Sequence, residues 1–212
     1  MKMNSCFLFD FDGVIVDSTE FIHQSFLHTF SMKNSNLPEN FMQLITGKPV
    51  QECFTMFGVR EADLPSFLEL YRSFQKENMT RLVNVFPEVI DTLSFLKEKG
   101  FKTGIVTGRG KTSTNEILNY YNLTNYFDCI ITPEDTLNYK PHPEPVLKAL
   151  ELLGGEATSS FFVGDSETDI QAGKAAGVKT IAAAYTAGTS LNALGPDYII
   201  DSLKELKILA EK

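Results

Sequence analysis

The 212-residue sequence predicts an α/β fold: a doubly wound parallel sheet with an inserted α-helical cap. Two observations predict it. Short apolar runs rich in β-branched and aromatic residues alternate with segments of helical length, as in βαβ units. A single long stretch, from Val16 to about Leu82, interrupts this alternation with amphipathic helical patterns and no convincing strand. The predicted strands are 6–9, 103–106, 129–131, 161–163 and 180–182.

The segments between these strands carry helix signals. Residues 87–99 place Val89, Leu93 and Leu96 on one apolar stripe, and the segment ends in Lys99 and Gly100, which are favoured at helix C-termini. The same reasoning predicts helices over 113–121, 143–153, 168–176 and 202–211. In the long stretch, aromatic residues from Phe21 to Phe74 recur at roughly helical intervals, which is typical of packing inside a small helical unit.

The position of the helical stretch predicts its role. It begins directly after the first strand, and α/β sheets bind ligands beyond the carboxyl ends of their strands. We therefore expect a catalytic core of residues 1–15 and 83–212 and a mobile cap of residues 16–82 that works as a lid. The length and the 43% hydrophobic content suit one main core.

Composition excludes some function classes. A net charge of -8 and the lack of a Lys and Arg cluster argue against binding to nucleic acid or to anionic lipid. An anionic substrate then requires a metal ion and a few placed donors. Asp10 and Asp12 cut the apolar N-terminal run, which argues against a signal peptide or membrane helix. The three cysteines are unpaired in spacing and predict buried free thiols and a cytoplasmic location.

Two strand ends are acidic. The first strand runs into Asp10 and Asp12, with Gly13 allowing a sharp turn, and the fourth runs through a glycine into Asp165 and Asp169. Either pair alone is most simply a loop with solvated acids. Together they predict a hard-cation site, and Mg²⁺ is the ion that a few carboxylates and substrate oxygens satisfy.

Two further segments indicate phosphate chemistry. Thr107, Gly108 and Arg109 follow the second strand, where hydroxyl and backbone N–H groups can hold phosphate oxygens and Arg109 can add an anion contact. Lys140 supplies one fixed positive charge before a helix, although a single loop lysine is usually solvated. With the phosphate neutralised, an Asp carboxylate can displace the leaving group in line, and a second Asp can manage the protons.

Together these residues resemble the four motifs of the haloacid dehalogenase-like superfamily, phosphatase branch, with a helical cap after the first motif. The resemblance spans nearly the whole chain. It implies that Asp10 is the nucleophile and a Mg²⁺ ligand, and that Asp12 is the acid/base with its backbone carbonyl on the metal. The further roles that it implies are phosphate binding by Thr107 and Lys140, Mg²⁺ binding by Asp165, and support of the metal by Asp169 directly or through water.

The sequence departs from the family's pattern at Val14, where hydrolases more often have Thr and sugar phosphomutases also have Val, and at Gly108–Arg109, where relatives often have Asn or Ser followed by Lys. The segment 46–54, with Lys48 as an expected substrate contact, resembles the substrate-facing part of phosphoglycolate phosphatases and related pyrophosphatases. It lacks the Arg that the phosphomutases usually carry there, which favours a hydrolase.

The expected function is therefore Mg²⁺-dependent hydrolysis of a small phosphomonoester, as in phosphoglycolate phosphatase. Pyrophosphate hydrolysis, a β-phosphoglucomutase-type reaction and a catalytically idle binding or regulatory module are the alternatives. The expected partner is a small phosphorylated metabolite, with no nucleic acid and no membrane, and the chain is expected to be a monomer or a weak homodimer.

Overall fold

The structure is a computed structural model that describes residues 4–185 and 191–211. Its main sheet has six parallel strands in the order β5-β4-β1-β6-β7-β8. These strands are β1 (Cys6–Phe9), β4 (Lys102–Val106), β5 (Cys129–Ile131), β6 (Phe161–Gly164), β7 (Lys179–Ala183) and β8 (Tyr198–Ile200). The predicted α/β fold with a doubly wound parallel sheet is confirmed.

Helices cover both faces of the sheet because alternate residues of a strand point to opposite sides. Phe7 and Phe9 pack into one hydrophobic cluster with Leu93 and Ile117, whereas Leu8 packs into a second cluster with Val146. A buried strand with both faces covered explains why 6–9 reads as a continuous apolar run. The helices of this part are α5 (Val89–Glu98), α6 (Lys111–Tyr120), α7 (Glu144–Leu153), α8 (Glu167–Ala176) and α9 (Leu206–Ala210).

The stretch between β1 and α5 forms a separate helical unit with its own hydrophobic cluster. Its helices are α1 (Thr19–Met32), α2 (Phe41–Ile45), α3 (Val50–Met56) and α4 (Leu64–Leu82). Phe26, Phe30, Phe54 and Tyr71 meet there mainly in edge-to-face pairs. Such pairs contribute about 0.5–1.5 kcal/mol each beyond the area that they bury. Most of the aromatic series packs inside this unit as predicted, but Phe21 packs instead in the cluster that contains Phe7 and Phe9.

The structure corrects three sequence-based expectations of secondary structure. Val16–Asp17 forms a short antiparallel strand, β2, with β3 (Asn84–Val85), although no strand was expected between 16 and 82. The strand has two residues, which is too short to leave a periodic signal. β8 was not predicted, and the expected last helix 202–211 is a 3₁₀ turn, Leu203–Glu205, followed by the short α9.

The cysteines are all free: Cys6 and Cys53 are buried and Cys129 is half-buried. Burial raises the pKa of Cys53 and of Cys129 to about 12. The expectation of buried free thiols is confirmed for Cys6 and Cys53. Among the helices of the described chain, none is long and apolar enough to cross a membrane.

Candidate active site

The candidate site lies at the carboxyl edge of three neighbouring strands. In the register of the sheet, Phe9 of β1 stands beside Ile105 of β4 and Val163 of β6. The next residues along the chain therefore leave the sheet at one place. These residues include Asp10 after β1, Thr107 after β4 and Asp165 after β6.

Three carboxylates converge at this edge. One oxygen each from Asp10, Asp165 and Asp169 lie within 4.8 Å of one another. Asp10 is fixed by its backbone N–H, which donates to the Val163 carbonyl at 2.8 Å. The acidic residues that follow β1 and β6 therefore lie close together at this edge of the sheet.

Asp169 reaches the group from the first turn of α8. Ser166 caps this helix: its hydroxyl accepts from the Asp169 backbone N–H at 3.3 Å and contacts Asp169 Oδ2 at 2.5 Å. This capping box fixes the Asp169 side chain through Oδ2 and leaves Oδ1 for the Lys140 amine. The Ser-x-x-Asp spacing is a sequence signal for such a cap, and the sequence analysis did not use it.

Lys140 is the positive charge of this group. Its amine lies 2.9 Å from Asp10 Oδ1 and 2.6 Å from Asp169 Oδ1, and it donates to the Val106 carbonyl at 3.1 Å. The side chain is only 2% exposed. The ordinary alternative, a solvated loop lysine, is therefore wrong.

The pKa shifts of the carboxylates reflect their burial first and their closeness to one another second. Burial raises the pKa of Asp10 to about 7; Lys140 opposes this rise and Asp169 adds to it. The pKa of Asp165 is also well above its usual value, because burial and the nearby Asp10 both disfavour its charged form. Burial lowers the pKa of Lys140, but the two carboxylates raise it more, so the amine stays protonated.

This donor set fits a magnesium ion. It offers carboxylate oxygens only, which are the ligands of hard cations, and its single buried lysine leaves the three carboxylates incompletely neutralised. Asp10 and Asp165 come from separate strands, so an ion held between them would draw both strand ends together. Among the described residues, the Asp12 carboxylate lies outside this group of three carboxylates. The expected contact between the Asp12 backbone carbonyl and the metal ion stays a prediction.

Residues expected to bind phosphate lie in the loop after β4. Thr107 is buried, and its hydroxyl accepts from the Arg109 backbone N–H at 3.0 Å. Gly108 lies against the helical unit: a Cβ at this position would be 3.1 Å from the Gly47 carbonyl oxygen. Gly47 has φ +73, and a Cβ at this position would lie only 2.1 Å from Thr168 Oγ1, so there is no room for one. The loop at Gly47 thus touches both sides of the site.

Arg109 does not stand free for an anion. Its Nε donates to Asp12 Oδ2 at 2.9 Å and its Nη2 to Asp12 Oδ1 at 2.6 Å, in the forked geometry typical of Arg and carboxylate. Its Nη1 donates to the Ser113 hydroxyl at 2.9 Å, and its guanidinium lies over the Phe21 ring. Substrate contact by Arg109 therefore stays a prediction. The Ser18 hydroxyl also donates to Asp12.

Lys48 follows Gly47 in the loop that lies against Gly108, but its amine donates to the Leu44 carbonyl of the same helical unit at 2.8 Å. Its expected contact with the substrate stays a prediction as well. Gln75, on α4, was missed. It is buried on the same helix face as Phe67 and Tyr71, at a spacing of four residues, and a polar residue in such an apolar stripe is a usable sequence signal.

Known proteins resemble this chain over nearly its whole length. Residues 7–183 match the haloacid dehalogenase-like hydrolase family. Pyrophosphatase PpaX of Bacillus mycoides is 35% identical over 97% of this chain and 96% of its own length. Pyrophosphatase PpaX of Anoxybacillus flavithermus is 36% identical over the same shares of the two chains.

Solved structures share the whole architecture. A predicted phosphoglycolate phosphatase from Haemophilus somnus superposes with a TM-score of 0.88 at 22% identity and covers 99% of both chains. A haloacid dehalogenase-like family hydrolase from Streptococcus pneumoniae has a TM-score of 0.80 at 23% identity, over 100% of this chain and 99% of its own. At these identities the likeness shows a common fold.

Proposed function

This chain belongs to the haloacid dehalogenase-like hydrolase family, and from that premise we propose that it is a Mg²⁺-dependent phosphohydrolase that uses Asp10 as nucleophile. The observation that carries the proposal is the convergence of Asp10, Asp165 and Asp169 around the buried Lys140. A mere loop of solvated acids would not need a buried lysine, because water would screen its charges.

The proposed reaction has two steps. An Asp10 carboxylate oxygen attacks phosphorus, and the bond from phosphorus to the leaving oxygen breaks as that oxygen takes the electron pair and a proton from Asp12. To carry this proton, Asp12 must first release one of its two contacts with Arg109. A water molecule then attacks the phosphorus of the aspartyl phosphate and gives a proton to Asp12. Inorganic phosphate leaves, and the Asp10 carboxylate is restored.

The surrounding residues orient these steps. Lys140 contacts Asp10 and holds it beside the position of the phosphoryl group, where the amine also offsets phosphate charge. Thr107, at the end of β4, offers its hydroxyl to a phosphate oxygen. A Mg²⁺ ion held by Asp10, Asp165 and Asp169 would neutralise charge on the transferring phosphoryl group.

The loop at Gly47 supports a small substrate. It lies against Gly108 on one side of the site and Thr168 on the other, so a bulky substrate would have to displace it. We propose that residues 16–82 form a cap that closes over the core of residues 1–15 and 83–212. Closure of such a cap excludes bulk water during the first step.

We propose inorganic pyrophosphate as the preferred substrate, because the curated relatives at 35–36% identity over 97% of the chain carry the name pyrophosphatase. Phosphoglycolate is the second candidate, supported by the resemblance of segment 46–54 to phosphoglycolate phosphatases. We further propose that the protein is cytoplasmic, that it is a monomer or a weak homodimer, and that its substrate is a small phosphorylated metabolite.

The test is release of inorganic phosphate from pyrophosphate, phosphoglycolate and a β-hexose 1-phosphate, each with Mg²⁺ and then with chelator. We expect Mg²⁺-dependent release that is fastest from pyrophosphate, and its loss in Asp10→Asn. Asp91→Asn is the matched control, because Asp91 is exposed on α5 and pairs with Lys207 at the surface.

Retained activity in Asp10→Asn would contradict the mechanism. Conversion of the hexose phosphate to its 6-phosphate isomer would favour the phosphomutase. A protein that is inert toward all three substrates, with and without Mg²⁺, would favour the idle binding or regulatory module.

A further inference from the structure

The loop that carries Lys140 is not held by burial of its own residues. Residues 136–143 form no helix or strand in the described chain, and residues 137–139 and 141–142 are exposed. Leu137 is 93% exposed, so this leucine does not anchor the loop to the core. Lys140 nevertheless has only 2% of its side chain exposed and reaches two carboxylates. Polar contacts are left to place its backbone.

Glu144, in the first turn of α7, supplies such contacts. Its Oε1 accepts from the Leu137 backbone N–H at 2.9 Å, and its Oε2 accepts from the Asn138 backbone N–H at 3.0 Å. Asn138 Nδ2 donates to the same Oε2 at 2.8 Å. The carboxylate therefore closes the loop 137–144 across its base, and Lys140 lies inside the closed loop.

The chain around Lys140 is a tight turn. The His142 backbone N–H donates to the Tyr139 carbonyl at 2.9 Å, which makes Lys140 and Pro141 the central residues of the turn. His142 Nδ1 accepts from the Glu144 backbone N–H at 3.1 Å. Glu144 therefore tethers the turn on both of its sides, through its backbone on one and through its carboxylate on the other.

The helix that bears Glu144 is anchored on the sheet. Val146 and Leu150 of α7 pack in the hydrophobic cluster on that face of the strands. The pKa of Glu144 is lowered, mainly because the Leu137 backbone N–H donates to its charged form. Hydrogen bonds to an ionised acceptor are stronger than neutral ones. The loop is thus tied by a charged acceptor to a fixed part of the core.

We propose that Glu144 is a positioning residue that sets the Lys140 amine between Asp10 and Asp169 by closing the loop 137–144. This inference rests on the proposed function, in which Lys140 holds the nucleophile and offsets phosphate charge. A lysine amine stands on a flexible four-carbon stem, so it meets both carboxylates reliably only if its backbone is held in one place. Glu144 acts through Lys140 and is not itself a catalytic residue.

The first test measures the accessibility of the Lys140 amine. The protein is labelled with acetic anhydride in chelator, and the modified fraction of each lysine is followed by peptide mass spectrometry. Glu144→Gln keeps the size of the side chain, but it removes the charge and turns an amide NH₂ toward the N–H donors of the loop. We expect Lys140 to be labelled about 10-fold faster in this variant than in the wild type, which is the effect of losing one hydrogen bond to a charged acceptor.

Glu205→Gln is the matched control. Glu205 Oε1 accepts from the backbone N–H groups of Asp201 and Ser202, at 2.9 and 3.2 Å, in a turn that packs against α5. The substitution removes the same kind of contact from a different loop. It should leave the labelling of Lys140 unchanged.

Lys148 is an internal standard in every sample. Its amine donates from α7 to the Asp135 carbonyl, so its labelling reports any loosening of that helix. In Glu144→Gln the labelling of Lys148 should stay close to that of the wild type, because the substitution releases the loop and leaves the helix packed.

The second test is kinetic. In saturating Mg²⁺, kcat/KM for pyrophosphate should fall about 10-fold in Glu144→Gln, mainly through kcat, because a displaced Lys140 no longer orients Asp10 for attack. Glu205→Gln should have the kinetics of the wild type.

Equal labelling of Lys140 in Glu144→Gln and in the wild type would overturn this inference, even if activity were lost. An equal rise at Lys148 would also overturn it, since the substitution would then loosen α7 as a whole. Faster labelling of Lys140 in a protein whose wild type releases no phosphate from any substrate would reject the proposed function and leave the placement of Lys140 by Glu144 standing.

Discussion

Replacing Lys140 with methionine removes the positive charge that contacts the carboxylate group and keeps most of the side chain's length. In the wild type the amine lies 2.9 Å from Asp10 Oδ1 and 2.6 Å from Asp169 Oδ1, with 2% of the side chain exposed. In the variant, the buried carboxylates lose their counter-charge and the Val106 carbonyl loses its donor.

The magnitude follows from the burial of the pair. Removing one partner of a buried ion pair costs about 3–5 kcal/mol, because the other charge stays buried without compensation. Asp10 can relieve part of this cost by taking up a proton, since its pKa is already raised to about 7. We therefore expect a loss near the lower end, about 3 kcal/mol, which for a chain of this size lowers Tm by about 6–12 °C.

The assay is thermal unfolding followed by circular dichroism, near neutral pH, in chelator and then in excess Mg²⁺. Mg²⁺ should recover part of the lost stability because a divalent cation replaces the missing charge among the carboxylates. Lys111→Met is the matched control: Lys111 also lies 2.9 Å from a carboxylate, that of Asp135, but the lysine is 54% exposed. Solvent screens such a pair, so its removal should leave Tm nearly unchanged. A Lys140→Met protein that melts with the wild type in chelator would refute this reasoning.

Two other substitutions test the geometry of the site. Gly108→Ala places a Cβ 3.1 Å from the Gly47 carbonyl and should lower kcat/KM about 10-fold by opposing closure. Gly110→Ala meets only a flexible carboxylate, that of Glu134, and serves as control, so equal kinetics in the two variants would contradict the closure. Asp165→Asn should abolish Mg²⁺-dependent turnover yet raise Tm in chelator. The folded-state pKa of Asp165 is raised, so the folded protein takes up its proton before the unfolded chain does, and wild-type stability in chelator should increase as pH falls below neutral. Asp165→Asn should weaken this increase. An unaltered dependence of Tm on pH in this variant would contradict the raised pKa of Asp165.

The strand ends were predictable because a buried parallel strand leaves a plain signal. The apolar runs 6–9 and 161–163 end at acids, and the carboxyl ends of neighbouring parallel strands meet at one edge. That reasoning needs only local sequence and a general property of sheets. It was enough to place Asp10 beside Asp165, because β1 and β6 are neighbours.

The contact partner of each polar side chain was not predictable, because it depends on which loops fold back across the carboxyl edge of the sheet. Lys140 is 130 residues from Asp10 in sequence, and its burial follows only from the packed sheet. Arg109 was expected to face an anionic substrate, and the anion that it binds in this structure is Asp12. The Gln75 amide became noticeable only once α4 was packed against α6, where Ser113 is its partner.

The most direct test of the central claim is to look for the phosphoryl group on the protein. Wild-type enzyme mixed with Mg²⁺ and pyrophosphate, quenched in acid within one turnover and digested, should yield a peptide phosphorylated at Asp10, as identified by mass spectrometry. Asp10→Asn should yield none. Turnover in the wild type with no covalent phosphate at Asp10, or with phosphate on another residue, would contradict nucleophilic attack by Asp10.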